Sequence, residues 1–116
     1  MYCNNSDEYT KNDIPKTQKA QIAVLSPAQE KDFLVRKIKI EPDGSMPNHT
    51  NLIQHQQYVL NGEAKVVVGD ETFHAKAGDF IYIPAGVTHY YEACYGKGYE
   101  FLCIITTAPD TITMVE

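Results

Sequence analysis

The residues of this chain that could carry out chemistry are its four histidines, at positions 49, 55, 74 and 89. The first two stand close together in the segment His49-Thr-Asn51-Leu-Ile-Gln-His55. Imidazoles from different parts of a chain can meet at one metal ion, whose ligand atoms must lie about 2.0–2.2 Å away. The spacing is equally compatible with exposed histidines, or with histidines that are hydrogen-bonded in a core. On spacing alone, a metal site and a structural role both remain open.

The segment between His49 and His55 must change direction if the two are to share an ion. A straight strand rises about 3.3 Å per residue, which would separate them by about 20 Å. We therefore expect a turn between Asn51 and Gln54, so that His49 ends one strand and His55 opens the next. Residues 49 and 51 then have the same parity and point to one face of their strand. His89 would arrive from a later strand.

Short strand-like segments and turn signals fill the rest of the sequence. The run 33–40 alternates clearly, and Arg36 falls on its apolar face with Ile38 and Ile40. Turns are predicted from Pro, Gly, Asn and Asp at residues 41–44, 61–62, 69–70, 78–79, 84–86 and 96–98. About nine or ten short strands and no amphipathic helix predict an all-β sandwich or barrel.

Length and composition limit the classes of protein that fit. A chain of 116 residues forms one domain, and 43% apolar residues allow a hydrophobic core. No apolar run approaches the roughly 20 residues of a membrane-spanning helix. The net charge of −5 argues against nucleic acid, because phosphate binding requires clustered Lys and Arg. We expect a small-molecule partner, and neither a membrane nor a nucleic acid.

The three cysteines and the polar N-terminus bear on location and organisation. Cys3, Cys94 and Cys103 form no CxxC pair, and the first residues lack the profile of a secretory signal. We expect a cytoplasmic protein with free thiols. Residues 1–18 are predicted to be an N-terminal arm or an edge strand that orders against a partner subunit, and residues 19–116 the folded barrel. Exposed β-edges and this arm favour a homodimer.

Two stretches of the sequence resemble the two motifs of the cupin superfamily. They are Gly44-x4-His49-x-Asn51-x3-His55-x6-Gly62 and Gly78-x5-Pro84-x-Gly86-x2-His89. Together they cover residues 44–93, counting the Ala93 that stands where the second motif usually ends in Asn. The resemblance implies a double-stranded β-helix, the cupin jelly-roll barrel, which hosts many unrelated functions.

The ligand set implied by the resemblance departs from the usual pattern. The first motif of the family usually supplies His, His and Glu, and the second supplies the last His. Here Asn51 stands at the second position and His55 at the carboxylate position, which is similar to the small four-histidine manganese cupins. The implied metal ligands are His49, Asn51, His55 and His89. We expect a divalent transition metal (Mn, Fe, Ni, Zn or Cu), and the alternative is a cupin that has lost its metal.

Further pocket residues follow from the resemblance and from strand parity. The resemblance places Arg36, Phe101 and Cys103 in the lumen around the metal. Parity with His55 and His89 adds the side chains of two more residues to the pocket wall, Gln57 and Tyr91.

The roles of two lumen residues stay open. Arg36 would orient an anionic substrate, or would form a structural ion pair with Glu63 or Glu100. Cys103 would be oxidised beside a redox metal, ligate a soft ion, or act as a small buried apolar residue. His74 lies outside both motifs and is predicted to be a surface residue.

Two functions are compatible with these residues. The first is a small metal-dependent cupin enzyme of the dioxygenase or isomerase type, acting on a small organic molecule that is anionic if Arg36 binds it. With no carboxylate ligand, its ion would keep its full double charge. The second is a non-catalytic sensor or carrier of a sugar or sugar acid, favoured because the ligand set offers no general base. A metal-free isomerase of sugar nucleotides is a third and less favoured alternative.

Overall fold

The computed structural model describes residues 1–94 and 96–115, which form a nine-stranded sheet wrapped into a barrel. The strands are β1 (Asn12–Asp13), β2 (Gln18–Val24), β3 (Phe33–Asn51), β4 (His55–Val68), β5 (Glu71–Lys76), β6 (Phe80–Ile83), β7 (His89–Ala93), β8 (Tyr99–Thr106) and β9 (Ile112–Met114). A short 3-10 helix, Ser6–Glu8, precedes them. The prediction of an all-β fold is confirmed.

Two long strands, β3 and β4, form the frame of the barrel. The first half of β3 pairs with β8 and its second half pairs with β7. The strand β4 pairs with the same two partners, with β8 at its start and with β7 at its end. These four strands therefore close on one another, as expected of a double-stranded β-helix. The sheet is extended at β3 by β2 and β9, and at β4 by β5 and β6.

The turns predicted at residues 41–44 and 61–62 are wrong, because neither stretch reverses the chain. Strand β3 continues through the first stretch, and β4 continues through the second. Each stretch is a bend accompanied by a register shift in a neighbouring ladder. Residues that permit a tight turn also permit a β-bulge, and a strand shared by two halves of a barrel must bend.

Gly62 shows why one of these bends requires glycine. Its φ is +81°, in the left-handed region that favours glycine. A Cβ at this position would lie 1.7 Å from the carbonyl oxygen of Gly98. The two backbones therefore approach each other here more closely than any side chain allows.

The turn that matters most for the histidines is present. Strand β3 ends at Asn51 and β4 begins at His55, which confirms the reversal expected between them. Other predicted turns also separate strands, at residues 69–70 between β4 and β5, and at residues 84–86 between β6 and β7.

The N-terminal arm packs on the barrel of its own chain. Strand β1 pairs with β2, and Ile14 packs against the hydrophobic core. Lys37 on β3 donates to the hydroxyl of Ser6 at 2.8 Å. Residues in the range 1–18 therefore contact the barrel of their own chain.

The barrel interior is apolar along most of its length. Alternate residues of the long strands point inwards, as parity predicts, and they pack in one cluster. Its most buried members include Ile40, Val59, Ala64, Val66 and Phe101. Five polar side chains of the described residues are also buried, and they lie where β3 ends and where β4 and β7 begin.

Two further sequence expectations concern the whole chain. The cysteines at positions 3, 94 and 103 are free thiols, as predicted. No helix among residues 1–94 and 96–115 is long and apolar enough to span a membrane.

Candidate metal centre

The five buried polar side chains come from three strand ends that meet inside the barrel. Strand β3 ends with His49 and Asn51, β4 begins with His55 and Gln57, and β7 begins with His89. The turn after Asn51 reverses the chain, and the ladder between β3 and β7 pairs His49 with His89. The four residues predicted as ligands therefore lie in one region, next to Gln57.

His49 and His89 are oriented alike, with one ring nitrogen of each bound to the backbone. The Nδ1 of His49 lies 2.7 Å from the carbonyl oxygen of Pro47, and the Nδ1 of His89 lies 2.9 Å from that of Val87. Because a carbonyl only accepts, each Nδ1 carries the hydrogen and each Nε2 keeps its lone pair. Metal-binding histidines are typically held in this way.

Burial keeps these two imidazoles neutral. It lowers the pKa of His89 to about 4 and also lowers the pKa of His49. Their ring centroids lie only 4.0 Å apart, so a positive charge on one ring would oppose a charge on the other. Near pH 7 both are in the unprotonated state that a metal ion requires of its ligands.

His55 has a partner on each of its ring nitrogens. Its Nε2 lies 3.0 Å from Asp110 Oδ2, and its Nδ1 lies 3.4 Å from Cys103 Sγ. Burial lowers the pKa of His55, although the hydrogen bond to Asp110 opposes that effect. Its ring centroid is 6.3 Å from that of His89. His55 is therefore close to the other imidazoles but is engaged with a carboxylate.

Asp110 is the site residue that the sequence did not reveal. It lies between β8 and β9, and its two carboxylate oxygens have different partners. Oδ2 faces His55 and also accepts a hydrogen bond from the Asn51 amide at 3.2 Å. Oδ1 accepts from three backbone amides, at 2.8, 3.3 and 3.0 Å, which belong to Leu52, Ile53 and Thr111.

The Asp110 carboxylate is charged at neutral pH. Burial raises its pKa, but the hydrogen bonds from His55 and from the backbone amides outweigh this effect, and the pKa is lowered. From the sequence, Pro109-Asp110 indicates only a turn, and neither motif extends beyond residue 93. Asp110 comes near the histidines because β9 pairs with the end of β3.

The side chain of Asn51 has one polar atom that no described residue satisfies. Its amide nitrogen donates to Asp110, whereas its Oδ1 is buried and has no hydrogen-bond partner among the described residues. A buried acceptor left alone costs about 1–3 kcal/mol. Amide oxygens are neutral ligands of divalent ions, so this atom is chemically suited to the ligand role predicted for Asn51.

Arg36 pairs with a thiol and with neither of the carboxylates considered for it. Its Nη2 donates to Cys103 Sγ at 3.1 Å. The carboxylates of Glu63 and Glu100 are engaged by other side chains. The Nε of Arg36 is buried and has no partner within the described ranges. A structural ion pair therefore does not account for this guanidinium.

The other predicted pocket residues are buried beside the histidines. Gln57 Nε2 donates to the Tyr91 hydroxyl at 2.7 Å, and Phe101 stacks on Tyr91 with ring centroids 5.3 Å apart. Burial raises the pKa of the Cys103 thiol, although Arg36 opposes this effect. These four side chains form the wall of the site on the side of the apolar core.

A small cavity of about 40 Å³ lies among these side chains. The three clustered histidines line it, and its apolar lining includes Ile14 from the N-terminal arm and Ile112 from β9. One water molecule needs about 10–15 Å³ of such space, so the cavity can hold an ion with a few waters. A larger organic molecule fits only if residues that line the cavity move.

A hollow of about 300 Å³ lies elsewhere, on the outer face of the barrel, and is lined in part by Phe73, Phe80 and Tyr82. His74 also lines this hollow, and it is exposed, as predicted. Its Nε2 lies 2.7 Å from Glu63 Oε1. None of the predicted ligands lines this hollow, so its size does not make it the functional site.

The four predicted ligands are close enough together to share an ion, but they are not arranged around one position. Within residues 1–94 and 96–115, no group of three or more His, Cys, Asp or Glu side chains is arranged to hold a metal ion. Ligand nitrogens lie about 2.0–2.1 Å from such an ion, so two ligating rings have centroids at most about 6.5 Å apart. The separations of 4.0 and 6.3 Å satisfy this limit. The donor types suit a transition-metal ion, and the side chains would have to shift for the four positions to share one.

The fold and the conserved-barrel motifs define a small single-domain cupin. The family model described as Cupin domain matches residues 36–105, and this chain belongs to that family. None of the curated proteins compared with the sequence matches it.

Several solved structures share the fold over nearly the whole chain. The polyketide cyclase RemF from Streptomyces resistomycificus has a TM-score of 0.89 and 22% identity, and the alignment covers 100% of this chain and 86% of that one. A cupin-2 domain from Rhodospirillum rubrum has a TM-score of 0.82 and 18% identity, with 93% and 73% covered. KdgF from Halomonas sp. has a TM-score of 0.75 and 17% identity, with 90% and 94% covered. At these identities the likeness establishes the fold alone.

Proposed function

We propose that this cupin holds a divalent transition-metal ion with His49, Asn51, His55 and His89, and that it is a metal-dependent enzyme. The main support for this proposal is the orientation of His49 and His89. Both line the same cavity, and both use Nδ1 for a backbone hydrogen bond that leaves the Nε2 lone pair available. The unsatisfied Oδ1 of Asn51 supports it, because an ion would supply the missing partner.

The identity of the metal is left open by this ligand set. Imidazole nitrogens accommodate Mn, Fe, Ni, Zn and Cu, and one amide oxygen does not select among them. When bound, such an ion supplies Lewis-acid or redox chemistry to a coordinated oxygen. These metals are compatible with a dioxygenase- or isomerase-type reaction.

The chain's own residues would bind and shield a small anionic substrate. Arg36 lines the cavity, and its buried Nε has no partner among the described residues, so the guanidinium can donate to an anionic group. Ile14 and Ile112 line the cavity and would make its surroundings apolar around a bound substrate. The likeness to a polyketide cyclase over the whole chain is a likeness of fold, and it leaves the reaction and the substrate open.

The alternative function, a sensor or carrier of a sugar or sugar acid, has less support. A sugar site needs several free donors and acceptors, yet Gln57 and Tyr91 are bonded to each other. The argument that no carboxylate could act as a general base also loses force, because Asp110 lies beside His55.

We further propose that the protein is a homodimer formed through one outer face of the barrel. Four large side chains are exposed on the neighbouring strands β4, β6 and β8, and they are Tyr58, Phe80, Tyr82 and Ile104. Exposed apolar patches of this kind mark interaction sites, and a second copy would cover this one symmetrically. Light scattering should give twice the chain mass of 13.0 kDa. The Phe80→Lys variant should give a lower mass, closer to that of one chain. A monomeric mass for the unaltered chain would contradict the proposal.

Metal content and thermal stability test the central proposal. Protein purified without added metal should contain close to one equivalent of a transition metal by inductively coupled plasma analysis. At a metal concentration about 100 times Kd, the stripped protein should gain about 2.7 kcal/mol of stability, which corresponds to a rise in Tm of roughly 10 °C. His89→Ala should remove both effects, whereas His74→Ala, a matched change at an exposed histidine, should leave them intact.

The result that overturns the proposal is equally direct. Absence of metal in the purified protein, together with no gain in Tm from Mn²⁺, Fe²⁺, Ni²⁺, Zn²⁺ or Cu²⁺, would exclude it. Turnover by the loaded protein on uronates, oxoacids and aromatic diols separates an enzyme from a binding protein. Arg36→Gln should raise KM more than it lowers kcat if Arg36 binds an anionic group of the substrate.

A further inference from the structure

The carboxylate of Asp110 is built like a metal ligand. Its Oδ1 is held by the backbone amides of the turn between β3 and β4 and by that of Thr111. These bonds already account for a structural role in that turn. The second oxygen, Oδ2, is directed to His55 and Asn51 inside the site. A carboxylate that ligates a metal through one oxygen is typically hydrogen-bonded through the other.

The distance between Asp110 Oδ2 and His55 Nε2 matches the spacing of neighbouring ligands on one ion. Two donor atoms about 2.1 Å from an ion, at an angle of about 90 to 110°, lie roughly 3.0 to 3.4 Å apart. Asp110 Oδ2 lies 3.0 Å from His55 Nε2. Its 3.2 Å contact with Asn51 is a hydrogen bond from the amide nitrogen, which does not ligate a cation. An ion bound to both atoms would lie to one side of the line that joins them, so the His55 ring would have to turn towards it as the hydrogen bond is replaced.

His55 can carry its ring hydrogen on Nδ1 instead of Nε2. If His55 binds through Nε2, the neutral ring must carry its hydrogen on Nδ1. Cys103 Sγ lies 3.4 Å from that nitrogen and can accept it, while Arg36 Nη2 donates to the same sulfur at 3.1 Å. The tautomeric change is thus supported by side chains already in contact with His55.

We propose that Asp110 Oδ2 is the carboxylate ligand of the metal centre, in place of the motif carboxylate that His55 replaces. This inference rests on the proposed metal-binding function. It adds one negative charge to the ligand set, so that the bound ion with its ligands carries a single positive charge. Part of the metal centre then comes from the segment between β8 and β9, beyond both cupin motifs.

Cobalt binding to the metal-free protein tests this role without any assay of activity. Co²⁺ titration gives Kd, and the visible absorption of the bound Co²⁺ reports its ligand set. Asp110→Asn should weaken Co²⁺ binding by more than about 100-fold, beyond the 10- to 100-fold expected from loss of a hydrogen-bonding neighbour, and should change the spectrum. Asp110→Glu, which keeps a carboxylate, should recover part of the affinity. Asp32→Asn, a matched change at an exposed aspartate, should have no effect.

The outcomes separate this proposal from the one on which it rests. If the unaltered protein binds no Co²⁺, the proposed metal function fails first. If it binds Co²⁺ and Asp110→Asn leaves affinity and spectrum unchanged, Asp110 is no ligand and the metal function stands. A 10- to 100-fold loss with an unchanged spectrum would make Asp110 a positioning residue and overturn the ligand role. Tighter binding by Asp110→Asn would show that the carboxylate blocks His55, and would overturn it also.

Discussion

His49 and His89 face each other across the ladder between β3 and β7 with ring centroids 4.0 Å apart. Each ring donates its Nδ1 hydrogen to the carbonyl oxygen of the residue two positions earlier. The two strands thus use the same local arrangement to present two neutral imidazoles to one cavity. The predictions below follow from this pair and from its surroundings.

The first prediction concerns the pairing of these two histidines at one ion. His49→Ala and His89→Ala should each remove nearly all of the metal-dependent gain in Tm, because each would delete one of few ligands. The double variant should lose little more than either single variant, since residues that act as a unit are not additive. Thermal melts with and without Zn²⁺ would measure this cycle. Independent and additive losses would indicate that the rings do not share an ion.

The second prediction concerns the pH dependence of the metal-free protein. Burial lowers the pKa of His49 and His55, and that of His89 to about 4. Between pH 6.5 and about 4, these imidazoles are protonated in the unfolded chain but remain neutral in the folded chain. The free energy of unfolding therefore falls as the pH falls. His89 alone accounts for at most about 3 kcal/mol of this loss.

Urea denaturation at pH 7.5, 5.5 and 4.5 in the presence of a chelator would measure that slope. The profile should be flat above pH 7 and should decline below 6.5. His89→Ala should make the decline shallower. Equal stability at all three values of pH would show that the buried imidazoles gain protons as readily as exposed ones.

The third prediction concerns the bend at Gly62. Gly62→Ala should lower the free energy of unfolding by at least about 3 kcal/mol, since the new Cβ would collide with the Gly98 carbonyl oxygen. Gly86→Ala is the matched control. Gly86 also has a positive φ, of +77°, but a Cβ there would meet none of the described atoms within 4 Å. Its cost should be about 1–2 kcal/mol. Equal destabilisation in chemical denaturation would argue against a close approach of the two backbones.

The fourth prediction concerns the three thiols. Cys3 is exposed, Cys94 is partly buried and Cys103 is fully buried, with its pKa raised by burial. A disulfide reagent such as Ellman's reagent should therefore modify Cys3 rapidly and Cys103 only after unfolding in urea. Mass spectrometry of the modified protein would identify the sites. Rapid modification of Cys103 in the native protein would mean that the cavity opens to solvent readily.

Much of the site could be predicted from local features of the sequence. The spacing between His49 and His55 requires a turn, and strand parity places Gln57 and Tyr91 inside the barrel. These inferences succeeded because the direction of a side chain depends on its own strand alone. The two cupin motifs supplied the rest of the fold prediction.

The bends at residues 41–44 and 61–62 show where local inference fails. Pro, Asn and Gly permit a tight turn and a bulge equally well, so the residue types alone do not decide between them. The ladders decide it, because each long strand pairs with β8 before its bend and with β7 after it, and so stays extended through the bend. Such pairing depends on residues far away in the sequence.

The sequence by itself determined the strand-rich fold, the two motifs and the inward direction of His49, Asn51, His55 and His89. Only the tertiary structure decided that Arg36 bonds to Cys103 and that Asp110 lies 3.0 Å from His55. The reason is physical. Parity and turn preference act over a few residues, whereas the position of Asp110 depends on the closure of the barrel, when β9 pairs with the end of β3.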